Sequence, residues 1–131
     1  MQPSLRQEGR PPGLGGIYFL PRLVGYSRAC ELVFTARTVD ALEALSMGLV
    51  NKVVPHGRLE AETRELAGTI ASNAPLPIAF AKRGLRNFCR WDLPQALDYE
   101  SYVLEVLMKS EDIVEGFSAF LEKRRPRFKG R

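Results

Sequence analysis

Few residues in this 131-residue chain have the type and spacing that chemistry requires. His56 is the single histidine, and it lies in Pro55-His56-Gly57, a turn pattern that follows an apolar run. A Ser/His/Asp or Cys/His mechanism would have to use that imidazole, and a turn is a poor seat for a general base. Cys30 and Cys89 show neither metal-site spacing nor a disulfide framework, and each lies in a helical pattern, so both read as buried reduced thiols. A tetrahedral zinc site needs about four converging His, Cys or carboxylate ligands, and no cluster supplies them. Phe120 and Lys123 stand three apart in a helical pattern, which suits an aromatic surface beside a point charge. A core aromatic and a solvated lysine would look the same. Gly13, with Gly15 and Gly16 just after it, either lets backbone approach a ligand or shapes a turn and a helix start.

Charge is unevenly placed. The formal net charge is +4, yet all 15 acidic residues precede Lys123, whereas Lys123, Arg124, Arg125, Arg127, Lys129 and Arg131 crowd the last nine positions. A basic tail of this kind attracts phosphates of any origin; the alternative is a solvated, frayed terminus. Nucleic-acid binding would need aromatics interleaved with these cations and a groove-reading motif, and beyond Phe128 the tail has neither. No nucleic-acid partner is expected.

The elements that must position these residues are a helical succession with one short strand. Ile17, Leu20 and Val24 recur at helical intervals between Gly15 and Gly25, with Pro21 opposing a long straight helix. Ser27 is placed to cap the next helix, which runs to Thr35. Asp40-Ala41-Leu42-Glu43 has the capping-box form for a short helix ending at Gly48. Leu49 to Val54 reads as a strand closed by Pro55. Helices follow over 58–72 and 76–90, the second with Ile78, Ala81, Leu85 and Phe88 on one stripe. Asp92-Leu93-Pro94-Gln95 opens another, to about Lys109. Ser110, backed by Glu111 and Asp112, caps the last, whose apolar positions include Ile113, Phe117, Phe120 and Leu121.

With 45% hydrophobic and 26% charged residues the chain has the composition of one soluble, non-secreted unit. No apolar run approaches the roughly 18 residues that span a bilayer, so no membrane partner is expected. Met1 to Arg10 is polar and aperiodic and reads as poorly structured, with residues 11–131 forming a single unit. Three prolines among the first twelve residues oppose an amphipathic transit helix. The expected location is cytoplasmic, with the mitochondrial matrix as the alternative.

Three segments carry a resemblance: Pro12-Gly13-Leu14-Gly15-Gly16-Ile17-Tyr18-Phe19-Leu20-Pro21-Arg22-Leu23-Val24-Gly25, then Gly48-Leu49-Val50-Asn51-Lys52-Val53-Val54-Pro55, then Ala119-Phe120-Leu121-Glu122-Lys123-Arg124. In that order and spacing they resemble the second half of the crotonase superfamily, the enoyl-CoA hydratase/isomerase enzymes, over residues 9 to 131. The resemblance implies a mainly α-helical chain: the C-terminal portion of the α/β, ClpP/crotonase-like fold, with one short strand near 49–54. It implies a lineage in fatty acid metabolism, with hydration or isomerisation of an acyl-CoA thioester through an enolate. Coenzyme A then arrives as part of the substrate, and no further cofactor or metal is implied.

Enolate chemistry needs backbone N–H donors aimed at the thioester oxygen and one or two carboxylates to move protons. In the family the donors and one carboxylate lie on N-terminal segments with no counterpart here. A second carboxylate would stand seven residues before Pro12, where this chain has Leu5; Glu8 is the nearest acid. No catalytic residue is assigned, and the chain by itself is expected to be inactive. Gly13 matches the family glycine that lines the acyl pocket. Phe120 and Lys123 match the pair that lies over the adenine and its nearby phosphate. The family's C-terminal helices form a trimer interface, and trimers often pair into hexamers, so the expected partners are an acyl-CoA ligand and either further copies or a full-length homologue. Tyr102, Val103 and Val106, off the main stripe of their helix, are candidates to face a partner. The alternative is a non-catalytic assembly or regulatory module that joins full-length relatives.

Overall fold

The computed structural model describes residues 13–87 and 89–131, and the chain divides into two compact units whose sequence border is Leu59/Glu60. Its helices are α1 Gly16–Val24, α2 Tyr26–Thr35, α3 Ala41–Ser46, α4 Leu59–Ala71, α5 Pro75–Leu85, α6 Leu93–Leu107 and α7 Glu111–Leu121, with a 3-10 turn at His56–Arg58.

In the first unit, α1 starts at Gly15, whose φ is 83° and where an added Cβ would stand 2.8 Å from the Phe19 ring. Only glycine meets both demands. Gly25 donates its N–H to the Pro21 carbonyl at 3.1 Å and accepts from Ala29 N at 3.0 Å, so it closes α1 and opens α2. Ser27, expected as the cap of α2, therefore lies inside it. Val24, Ala29 and Met47 form the core, with Leu20, Leu32, Val39 and Leu49 packed around them. Arg37 binds Glu31 at 2.9 Å and both carboxylate oxygens of Glu43 at 2.9 and 2.6 Å. Asp40 caps α3 by accepting from Glu43 N at 2.8 Å. The Glu43 carboxylate is held by Arg37 and depressed by it.

The strand expected at 49–54 does not form among the described residues. The N–H groups of Leu49 and Val50 point back to the Ala44 carbonyl at 2.9 and 3.4 Å, which prolongs the close of α3. Residues 52–55 carry no regular secondary structure. An apolar run becomes a strand only when a neighbour accepts and donates its hydrogen bonds.

In the second unit, α5 and α6 pack through Tyr99, whose hydroxyl donates to the Phe80 carbonyl at 2.8 Å and whose ring lies 4.9 Å from that of Trp91. Asp92 opens α6 with a complete capping box: its Oδ1 accepts from Gln95 N at 2.9 Å, and Gln95 Oε1 accepts from Asp92 N at 3.2 Å. Helix α5 stops at Leu85, short of the expected 90, because Asn87 turns the chain. Its N–H binds the Gly84 carbonyl at 2.8 Å and its Nδ2 the Arg83 carbonyl at 2.9 Å. Phe88, placed on the α5 stripe from sequence, lies outside the described residues.

The buried apolar side chains are mostly small: Val24, Ala29, Ala44, Met47 and Ala119. The larger members of the helical stripes stay open, Leu85 at 70% and Phe120 at 81% exposure. Continuous apolar faces of this kind are unusual on a soluble monomer.

Candidate functional site

The region around Phe120 and Lys123 is built by the two ends of α7. At its start Ser110 Oγ accepts from Ile113 N at 3.3 Å, and Glu111 and Asp112 occupy the first turn. At its end the helix stops at Leu121, and Lys123 lies beyond it with φ 53°. Lys123 N donates to the Phe120 carbonyl at 3.2 Å and Arg124 N to the Ala119 carbonyl at 3.0 Å. These are the two bonds of a Schellman closure, whose left-handed position is usually glycine. A left-handed L-residue costs about 1 kcal/mol. Phe120 and Lys123 are therefore neighbours through a helix-ending turn, where the sequence had placed them on one continuous helical face.

After Lys123 the chain doubles back along α7 as a strap. Arg124 donates from Nη1 and Nη2 to Glu115 at 2.6 and 2.9 Å, and from Nε to Glu122 at 2.6 Å. Arg127 N reaches the same Glu115 carboxylate at 2.7 Å. The buried Asp112, 3% exposed, accepts from Lys129 N at 2.6 Å and Gly130 N at 2.8 Å. The Arg131 carbonyl then accepts from Glu111 N at 2.7 Å and Asp112 N at 3.3 Å, capping the helix that the strap left. Gly130, φ 77°, lies against Pro75, so a Cβ there would stand 2.9 Å from the proline ring. The basic tail is thus neither frayed nor a free polycation. Lys129 and Arg131 also face Glu111 at 3.4 and 3.3 Å. The side chains of Lys123 and Arg125 carry no ion pair among the described residues.

Electrostatics follow this geometry. The Arg124 guanidinium, helped by the Arg127 N–H, pushes the Glu115 carboxyl down to about 2. Glu115 and Glu122 in turn hold Arg124 more firmly charged than a free arginine.

The strap also shapes a cavity. An open space of about 480 Å³ is bordered by Pro77, Ile113, Gly116, Phe117, Phe120 and Phe128, so three aromatic rings from α7 and the strap converge on it. A second cavity, of about 640 Å³, runs along α5 and α6 and is lined by Phe80, Leu85, Trp91, Leu93, Tyr99 and Leu104 among others.

The other sequence candidates are placed as follows. Gly13 belongs to the first unit, and a Cβ there would meet nothing within 4 Å. Leu5, Glu8 and Pro12 lie outside the described residues. His56 is exposed in the 3-10 turn. Both cysteines are free, but Cys89 is exposed and Cys30 half-buried, so neither is the buried thiol expected from its helical pattern. Cys89 falls past the end of α5, in the turn after Asn87. No cluster of three or more metal-ligating side chains and no helix long and apolar enough to cross a membrane occurs among the described residues. The strap contacts of Asp112 and Glu115 and the place of Phe128 on the cavity were not read from the sequence. Their partners lie too far along the chain for local spacing to reveal, and the only signal was an acidic first turn facing a basic tail.

The overall structure is similar to those of known proteins. The structure matches that of enoyl-CoA hydratase from Bacillus anthracis with a TM-score of 0.92 and 41% identity, over 98% of this chain and 50% of that one. The described helices therefore take the form of a crotonase-fold protein. The family description "Enoyl-CoA hydratase/isomerase" matches residues 2–131. The short-chain-enoyl-CoA hydratase of Clostridium acetobutylicum is 40% identical over 117 residues, 89% of this chain and 45% of that protein. The crotonyl-CoA hydratase of Syntrophomonas wolfei is 38% identical over 120 residues, 92% of this chain and 46% of that protein. The chain belongs to the enoyl-CoA hydratase/isomerase family. It spans about half the length of the curated relatives it matches.

Proposed function

We propose that this chain supplies the coenzyme-side and subunit-side framework of an acyl-CoA hydratase or isomerase, equivalent to the C-terminal part of its relatives, and that it does not turn substrate over by itself. The reading is carried by Phe120 and Lys123: an exposed ring bordering an aromatic cavity and, three residues on, a lysine with no carboxylate partner among the described residues, held in a left-handed turn position that usually falls to glycine. An adenine ring would lie on that flat apolar surface, and the phosphate on its ribose would meet the Lys123 cation. Gly13 is assigned to the acyl end, where a missing side chain leaves room for ligand. Catalytic carboxylates and oxyanion donors are assigned to no described residue.

A second role is favoured by the open apolar faces. Leu85, Leu93 and Leu104 on the α5–α6 cavity, with Tyr102 beside them on α6, are all more than half exposed. Further copies of the chain or a full-length homologue would cover them, in trimers or hexamers, in the cytoplasm or the mitochondrial matrix. The assembly-module reading is the alternative that keeps this role and drops turnover in every context.

The coenzyme reading is tested by titrating 3′-phospho-ADP into the 131-residue protein while following amide shifts. Shifts confined to α7, Lys123 and the strap are expected, with loss on Lys123→Ala. Shifts that avoid α7, or that survive Lys123→Ala unchanged, would overturn it.

A further inference from the structure

We propose that the C-terminal strap is a positioning device for the coenzyme site, with Glu115 and Asp112 as positioning residues that act through Lys123, and with Phe128 as an added aromatic wall. This rests on the coenzyme reading of Phe120 and Lys123 and deepens it.

Lys123 occupies a backbone conformation that an L-residue adopts at a cost. Something must hold it there. The Schellman bonds do so on the helix side, at 3.2 and 3.0 Å. On the far side, the very next residue is clamped: Arg124 grips Glu115 with both Nη atoms and Glu122 with Nε. Three residues later the backbone of Arg127 binds the same Glu115. Farther on, buried Asp112 takes the backbone N–H groups of Lys129 and Gly130. Lys123 is thus the hinge residue between a helix and a strap fixed to that helix at Glu115 and Asp112. A bidentate guanidinium–carboxylate pair fixes direction as well as distance, so the clamp selects where the Lys123 backbone points its side chain.

The same strap brings Phe128 to the cavity that Phe120 borders, within van der Waals reach of Gly116, where an added Cβ would stand 3.7 Å from the Phe128 ring. Releasing the strap would remove one aromatic wall and unfix the lysine together. A flat heteroaromatic base joined to a phosphorylated ribose needs both. Neither Glu115 nor Asp112 needs to touch it. Their carboxylates are taken up by strap N–H groups and, for Glu115, by Arg124 as well.

The test is a double-mutant cycle read by 3′-phospho-ADP affinity from amide shifts. Lys123→Ala should weaken binding about tenfold, since a charge-assisted hydrogen bond is worth roughly 1.5 to 3 kcal/mol. Glu115→Gln should weaken it a few-fold with Lys123 present and cost little further affinity in the Lys123→Ala background. Equal losses in both backgrounds, or no loss from Glu115→Gln in the parent, would overturn the positioning role while leaving the coenzyme reading in place. An unchanged affinity in Lys123→Ala would overturn both. Should Glu115→Gln fail to fold, Arg124→Lys keeps the charge but loses the two-point grip, and the same coupling to Lys123 is expected. Phe128→Leu, which keeps an apolar filler but loses the ring, should weaken the nucleotide and leave the affinity for inorganic pyrophosphate unchanged; equal loss of both ligands, or no loss of either, would remove Phe128 from the site.

Discussion

Arg124 meets Glu115 through both Nη atoms, at 2.6 and 2.9 Å, nine residues after the carboxylate and on the opposite side of the helix-ending turn. The pair joins the strap to α7 and leaves Lys123 between a helix and its own returning chain. Because Arg127 N shares the carboxylate at 2.7 Å, Glu115 is satisfied by three donors. Several measurable properties rest on it.

The first is acid stability. Glu115 titrates at about 2 in the folded chain against an ordinary 4.5, chiefly because Arg124 donates to it. The folded state thus binds this proton less readily than the unfolded chain, and the contribution is complete above the ordinary value and lost as pH falls toward 2. Thermal melts of the parent should decline through that window, and those of Glu115→Gln should decline less. Parallel curves would show that the ion pair contributes nothing.

The second concerns the left-handed lysine. Lys123→Gly removes the steric cost of φ 53° and should raise stability by about 1 kcal/mol, with a higher denaturant midpoint, while losing affinity for 3′-phospho-ADP. A variant destabilised by the glycine would mean that the lysine side chain itself holds the turn.

Turnover is the third. The purified 131-residue protein should hydrate crotonyl-CoA no faster than buffer, since the enolate route needs oxyanion donors and carboxylates that no described residue is assigned to supply. The assay is the fall in the enoyl thioester absorbance. Hydration above the buffer rate would place catalytic groups within this chain.

Self-association is the fourth. The exposed faces of Leu85, Leu93 and Leu104 should drive oligomers at tens of micromolar, seen by sedimentation. Leu93→Glu, on the rim of the α5–α6 cavity, should shift the distribution toward monomer. A parent chain that sediments as a clean monomer and binds no hydrophobic dye would contradict a subunit-facing role for this surface.

What the sequence determined by itself is the local part. Asp40, Asp92 and Ser110 announced three helix starts because a cap and the N–H it accepts are three residues apart, within reach of any one turn. The three segments around Gly13, Gly48 and Phe120 likewise carried the family. Tertiary structure decided whatever needs a distant partner. The run at 49–54 has the valines of a strand and a closing proline, yet no strand forms there among the described residues, because a ladder requires a neighbour and the N–H groups of Leu49 and Val50 turn back to Ala44. From sequence the basic tail reads either as a run that attracts phosphates or as a solvated, frayed terminus, with no partner inside the chain. It is instead a strap, because Glu115 and Asp112 lie 9 to 18 residues away from the groups they bind, across a turn that only the folded α7 places. Periodicity told which helical faces are apolar, since that depends on 3.6 residues per turn; whether a face is buried depends on what is packed against it, and no repeat in the sequence records that.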